Sequence, residues 1–237
     1  ASRTLSGVLC PVTLAASLLA SGATNPSPLL RYDFDSQTDP TPNLGSMGSA
    51  AQGDIGGSGW QFTAAPAGHA LKLTSSSYVA PGGEEDLFDL ADNDFSLHAR
   101  VRCTPSSGST PRSIVTKREN NGRGFQLALI PATGKVVVEV GGGSQAASAV
   151  SATRVDDDQW HELLAVRSGT TLSIYVDGVL EGQSAIGAIG SSSNSRELRI
   201  GRAVSGPNTN GFEGDIDAAA LYAQAVTPAE VSGGLDC

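Results

Sequence analysis

The carboxylates carry most of this chain's chemical potential, and their spacing decides what they could do. Hydrolysis of a glycosidic bond takes two carboxyl groups held at a set separation, one as acid and the other as nucleophile or base. Only Glu84-Glu85-Asp86-Leu87-Phe88-Asp89 has comparable spacing, and it follows Pro81-Gly82-Gly83. That context makes it a solvated loop, not a catalytic pair on a strand. The histidines His69, His98 and His161 are dispersed, and no Ser or Cys stands in a nucleophile motif. Cys10, Cys103 and Cys237 match no zinc or redox spacing, and their odd count leaves one thiol unpaired in a monomer. A bridge between Cys103 and Cys237 stays open. No catalytic residue is expected.

The elements that position these groups are strands. Glycine is frequent, 29 of 237 residues, while charged residues are only 16%. Many short strands joined by tight turns need that exchange. Strand-like runs occur at 29–34, 70–73, 77–80, 95–103, 113–117, 124–130 and 135–140, then at 161–168, 171–176, 198–202 and 211–222. In the fourth run Phe95, Leu97, Ala99 and Val101 alternate with Ser96, His98, Arg100 and Arg102, so one face is buried and one is wet. Asp177-Gly178 is a type I′ hairpin signal, and Thr227-Pro228-Ala229-Glu230 a capping box with proline in the first turn. No amphipathic crossover separates any two strands, which excludes parallel α/β folds.

Twenty-four acidic against 15 basic residues give a net charge of −9. Such a surface repels phosphate backbones, so nucleic acid is not an expected partner. No stretch approaches the roughly 18 apolar residues of a membrane span. Residues 7–20 are apolar but interrupted by Pro11, and Asn25-Pro26-Ser27-Pro28 follows as a linker. We read residues 1–28 as an apolar arm that docks on protein neighbours in an oligomer or larger assembly, not as an export signal. Residues 29–237 form the main domain.

Asp156-Asp157-Asp158-Gln159-Trp160-His161-Glu162-Leu163-Leu164 followed by Ile174-Tyr175-Val176-Asp177-Gly178 resembles the central signature of laminin-G-like jelly rolls. Leu30-Arg31-Tyr32-Asp33-Phe34-Asp35, Phe95-Ser96-Leu97, and Gly214-Asp215-Ile216-Asp217 with Leu221-Tyr222 agree in order. The resemblance implies an all-β, two-sheet antiparallel β-sandwich of the concanavalin-A-like superfamily. It does not choose a ligand, since that superfold hosts lectins, adhesion modules, glycanases and virion proteins. The acidic run 84–89 departs from the glycanase pattern by ending in Asp.

The resemblance further implies one structural calcium, with Asp33, Asp35 and Asp217 at the matching positions. Calcium takes carboxylate and carbonyl oxygens; the alternative is that these carboxylates hydrogen-bond turn amides. For a ligand, the loops 119–123 and 205–210 offer Asn120, Arg123, Asn208 and Asn210 to sugar hydroxyls. Trp60 and Trp160 read as core or near-core anchors, and His161 as a hydrogen-bonded structural residue. The expected function is a non-enzymatic recognition or adhesion module for surface glycans, secreted, at a cell surface or on a particle exterior. A structural protein of a virion or other large particle, docked through the arm, is the second expectation. A glycoside hydrolase or polysaccharide lyase is the third.

Overall fold

The computed structural model describes residues 26–82, 88–90, 92–204 and 211–232. All but the last three residues of the arm, the loop residues Asn208 and Asn210, and Cys10 and Cys237 therefore lie outside the described residues.

Fifteen strands are described. They are β1 (Leu30–Tyr32), β2 (Gly53–Gly56), β3 (Gln61–Ala64), β4 (His69–Leu73), β5 (Tyr78–Pro81), β6 (Phe95–Arg102), β7 (Arg112–Arg118) and β8 (Gly124–Ile130). After them come β9 (Lys135–Gly141), β10 (Ala146–Val150), β11 (Trp160–Ser168), β12 (Thr171–Val176), β13 (Val179–Ala185), β14 (Arg199–Ile200) and β15 (Gly214–Tyr222). One helix, α1 (Pro228–Ser232), follows, and the 227–230 turn behaves as its sequence requires: Glu230 Oε2 accepts from Thr227 N at 2.7 Å and from its hydroxyl at 2.8 Å.

Two antiparallel sheets pack face to face. Sheet A runs β13-β12-β11-β6-β15-β4-β3, with β1 added on β15; sheet B runs β10-β9-β8-β7-β14-β5-β2. One continuous core fills the space between them, because period-two alternation points Leu97, Ala99 and Val101 of sheet A at Phe125, Leu127 and Leu129 of sheet B. Phe95 and Phe125 join the sheets, ring centroids 4.8 Å apart.

The Asp177-Gly178 turn is left-handed at both residues, φ 50° and 80°, as a two-residue hairpin between β12 and β13 requires. The outer face of sheet A is not uniformly wet, as alternation alone predicts. Leu164, Val166, Ala220 and Tyr222 form a second small cluster with Val226 and Val231. The chain that follows β15 folds back over this end, where Ser96 Oγ donates to Gln224 O at 2.9 Å and accepts from Val226 N at 3.0 Å.

Candidate functional site

On β8 the core takes Phe125, Leu127 and Leu129, so Gln126 and Ala128 point outward. The same alternation turns Glu139, Ser148, Thr116 and Arg199 outward on the neighbouring strands. Their register is continuous: Ser148 lies opposite Glu139, Glu139 opposite Gln126, Gln126 opposite Thr116, and Thr116 opposite Arg199. Five adjacent strands carry one polar row, about 20 Å long at ~4.8 Å between strands. Tyr78 of β5 extends it, its ring centroid 3.8 Å from the Arg199 guanidinium carbon. A Cβ on Gly56 would lie 2.4 Å from that ring, so glycine there is what lets Tyr78 lie down.

The row is deep in the middle and open towards its ends. Gln126 and Thr116 are 1% and 2% exposed, Glu139 and Arg199 are half-buried, and Ser148 is exposed. Glu139 Oε2 accepts from both Arg118 Nη1 and Gln126 Nε2, and Arg199 Nε donates to Glu197 Oε2 at 2.8 Å. Thr116 Oγ1 and Ser113 Oγ are buried without a hydrogen-bond partner among the described residues. Buried hydroxyls are normally satisfied, so these two leave hydrogen-bonding capacity unused beneath the row.

Asn120 and Arg123 lie in the β7–β8 loop beside Arg118, whose Nε donates to Gly122 O at 3.3 Å. Asn121 Oδ1 shapes this loop by accepting from Arg123 N at 2.9 Å, and Arg123 Nε is buried without a partner among the described residues. Asn208 and Asn210 fall outside those residues, but Gly211, just beyond them, bridges Ser113 at the start of β7. The loop with Asn120 and Arg123 and the flank of the 205–210 segment therefore stand at opposite ends of β7. The polar row crosses between them.

Sequence reasoning missed the residue that props up this face. Lys117 is fully buried, its Nζ donating to Asn194 O at 2.9 Å and to Arg196 O. Asn194 Nδ2 donates back to Lys117 O at 3.3 Å, and Asn194 Oδ1 accepts from Arg196 N at 2.9 Å. These bonds fix the stretch that leads into Glu197 and Arg199. A Cβ on Gly124 (φ +115°) would lie 2.0 Å from Lys117 O, so the adjoining strand also has to be bare.

The three carboxylates assigned to calcium are neighbours but are otherwise engaged. Asp217 is the extra residue of a bulge in β15, and Arg100 Nη1 lies 3.0 Å from its Oδ2. Burial pushes its carboxyl up to about 6; Arg100 opposes this, and Asp35 and Asp33 add to it. Asp33 Oδ1 accepts from Asp35 N at 3.2 Å, and Asp35 Oδ1 from His69 N at 2.6 Å. Among the described residues no three His, Cys, Asp or Glu side chains converge as a metal-binding group. The arrangement does not fit the calcium that the resemblance implied, because Arg100 already supplies the positive charge at Asp217. The melting temperature is expected to be the same in excess calcium and in chelator. A calcium-dependent rise that Asp217→Asn removes would restore the metal.

Trp160 is not a core residue. It lies outward on β11, with the Arg102 and Arg100 guanidinium carbons 5.3 and 5.7 Å from its ring. Trp60 is a partly buried anchor, edge-on to Phe62 at 5.7 Å. His161 is held from both sides: Nδ1 lies 2.8 Å from Asp177 Oδ2 and Nε2 3.0 Å from Asp157 Oδ1. Burial opposes its charge, but the bonds to Asp177 and Asp157 outweigh burial and raise its pKa above the usual 6.5. The Gln159 amide, then His161, lower Asp157 below the usual 3.8.

The signs follow from linkage. The His161 contribution is complete below about pH 6.5 and is lost as pH rises through its raised value. That of Asp157 is complete above about pH 3.8 and is lost as pH falls through its lowered one. Melting temperature should therefore fall as pH rises from about 6.5 to 8, and more steeply in wild type than in His161→Gln. Equal slopes would show that the clamp contributes nothing.

With the geometry in place, comparison with known proteins gives the family. A family model described as "Concanavalin A-like lectin/glucanases superfamily" matches residues 73–232, about two thirds of the sequence. The chain belongs to this family. No curated protein sequence matches it significantly. Among solved structures, a similar fold occurs in the binding domain of Paraclostridial Mosquitocidal Protein 1, with TM-score 0.68, 13% identity, and 87% of this chain against 51% of that one. Domain 4 of AbnA, a GH43 extracellular arabinanase from Geobacillus stearothermophilus solved in complex with arabinotriose, gives 0.67, 16%, and 88% against 98%. The botulinum neurotoxin serotype C1 binding domain gives 0.68, 14%, and 89% against 52%. This chain thus spans about half the length of the mosquitocidal-protein and neurotoxin binding domains and nearly all of the arabinanase domain.

Proposed function

We propose that this domain is a non-catalytic recognition module that binds surface glycans along the outer face of sheet B. The in-register row Ser148, Glu139, Gln126, Thr116 and Arg199, ending on the Tyr78 ring, carries the reading. A saccharide presents alternating hydroxyl donors and acceptors and an apolar ring face. Carboxylate, amide, hydroxyl and guanidinium groups in sequence, closed by an aromatic ring, match both requirements. Hydrolysis finds no support on this face, since Glu139 and Glu197 are each engaged by an arginine. The arabinotriose bound to the similar arabinanase domain supports the ligand class. Glycans of this kind place the domain on the outside of a cell or particle.

A panel of immobilised plant, bacterial and animal oligosaccharides tests the proposal. Wild type should retain at least one of them, Arg199→Ala should weaken that binding tenfold or more, and no reducing ends should appear. Release of reducing ends, or an affinity left unchanged when Arg199→Ala and Tyr78→Ala are combined, would overturn it.

A further inference from the structure

A second polar row crosses the opposite sheet. Gln61 lies opposite Lys72, Lys72 opposite Asp215, Asp215 opposite Arg102, and Arg102 opposite Trp160. Leu71, Val101, Leu163 and Ile216 on the same strands belong to the core, so this row points away from it, on the far side of the sandwich from the Arg199 row. Here the face is open: Gln61 and Lys72 are exposed, and Arg102 and Trp160 partly so.

Beside the middle of this row lies a cleft of about 360 Å³, lined by Lys72, Thr74, Arg102, Thr104, Asp158 and Asp215, among others. That volume is at the small end of ligand pockets. Within it Asp215 is fully engaged: Oδ1 accepts from Thr63 Oγ1 at 3.0 Å, and Oδ2 from Arg102 Nε and Nη2 at 3.1 and 2.9 Å. Glu213, also in the lining, pairs with Arg112. Lys72 and Asp158 are different. Neither side chain has an ion pair or hydrogen bond among the described residues. Asp158 is held in the left-handed region, φ 65°, with its amide donating to Cys103 O at 2.9 Å. Its carboxylate is thus presented by a fixed backbone.

We propose that this cleft is a second saccharide subsite, making the domain bivalent, with one glycan contact on each outer face. The ligand class rests on the reading of the domain as a glycan binder; the location rests on the cleft itself. One ammonium and one carboxylate left over in a small cleft suit adjacent hydroxyls of a neutral sugar, which accept from Lys72 Nζ and donate to Asp158. The Thr104 hydroxyl adds a further donor and acceptor. An anionic sugar is disfavoured, because Asp158, Glu213 and Asp215 outnumber Lys72 and Arg102 in the lining. Two sites facing opposite ways cannot close on one short oligosaccharide. They join two glycan chains, and avidity on a dense surface then exceeds either single affinity.

Calorimetry on the full chain with arabinotriose, cellotriose and maltotriose, together with turbidity on a polymer bearing the sugar that binds, tests this. Wild type should bind two equivalents and cross-link the polymer. Lys72→Ala/Asp158→Asn should bind one equivalent, and Arg199→Ala should also bind one, each without cross-linking. If wild type binds one equivalent and Lys72→Ala/Asp158→Asn leaves it unchanged, or if none of the three sugars binds, the second subsite is wrong. If binding survives Arg199→Ala unchanged and is lost in Lys72→Ala/Asp158→Asn, the cleft stands and the sheet B reading fails. Both faces are polar and partly exposed, so the variants are expected to fold; if Lys72→Ala/Asp158→Asn does not, Asp158→Asn alone replaces it and should likewise lose one equivalent.

Discussion

Replacing Lys117 by Met should cost about 2–4 kcal/mol of stability and weaken glycan binding at the same time. The buried Nζ satisfies the carbonyls of Asn194 and Arg196, and methionine fills a similar volume without donating to them. Each carbonyl left unsatisfied in the interior costs about 1–3 kcal/mol. Replacing a whole buried polar pair by apolar groups can be neutral, but here one partner is backbone and stays behind. The 192–198 stretch would loosen, and with it the approach to Arg199 and Glu197. Urea unfolding gives the first quantity and titration with the bound oligosaccharide the second. A variant as stable as wild type, or one that loses stability but binds normally, contradicts the role given to Lys117.

Phe95→Ala should be at least as destabilising and leave the site untouched. Phe95 is fully buried, and its ring meets Phe125 of the opposite sheet at 4.8 Å. Removing a buried phenyl ring from a packed core costs about 3–5 kcal/mol, and the lost aromatic pair belongs to that sum. Phe95 faces the core, away from the polar row, so affinity per folded molecule should not change. The contrast between the two variants separates a residue that props up the site from one that only holds the sheets together. A loss below about 1.5 kcal/mol would mean the two sheets do not depend on this contact.

Much of the fold was legible. β8 and β12 begin and end where residue pattern alone puts them, because each is bounded by Gly or Asp-Gly turn chemistry. Trp160-His161 opens β11 and Tyr175-Val176 ends β12, as the resemblance implied, and Asp177 ties the two together by accepting from Glu162 N at 2.8 Å. Other strands were hidden. β2 has two glycines in four residues, one of them required by the Tyr78 ring. β10 is built from Ala, Ser and Val without a strong strand preference.

The site was less legible, for a physical reason. Arg199 and Thr116 are side by side only through the register of β14 on β7, and sequence spacing does not encode register between distant strands. Asn120 and Arg123 were chosen because loops advertise themselves by composition, and they border the row without forming it. The calcium expectation fails to find support in the geometry for a related reason. The bulge that brings Asp217 to Arg100 is a pairing event between β15 and β6, visible only once both strands are placed. Trp160 was misplaced because an aromatic residue in a strand signature reads as core, while alternation from His161 and Leu163 turns it outward.

Backbone amide chemical shifts of the ¹⁵N-labelled chain, followed during titration with the oligosaccharide retained most strongly from the panel, test the central claim most directly. The account predicts saturable shifts at Glu139, Gln126, Thr116 and Arg199 together with Arg118 and Arg123, which mark one continuous face of sheet B. Shifts at the Lys72–Asp158 cleft would accompany them. Shifts that leave the sheet B row unmoved at saturation would contradict it.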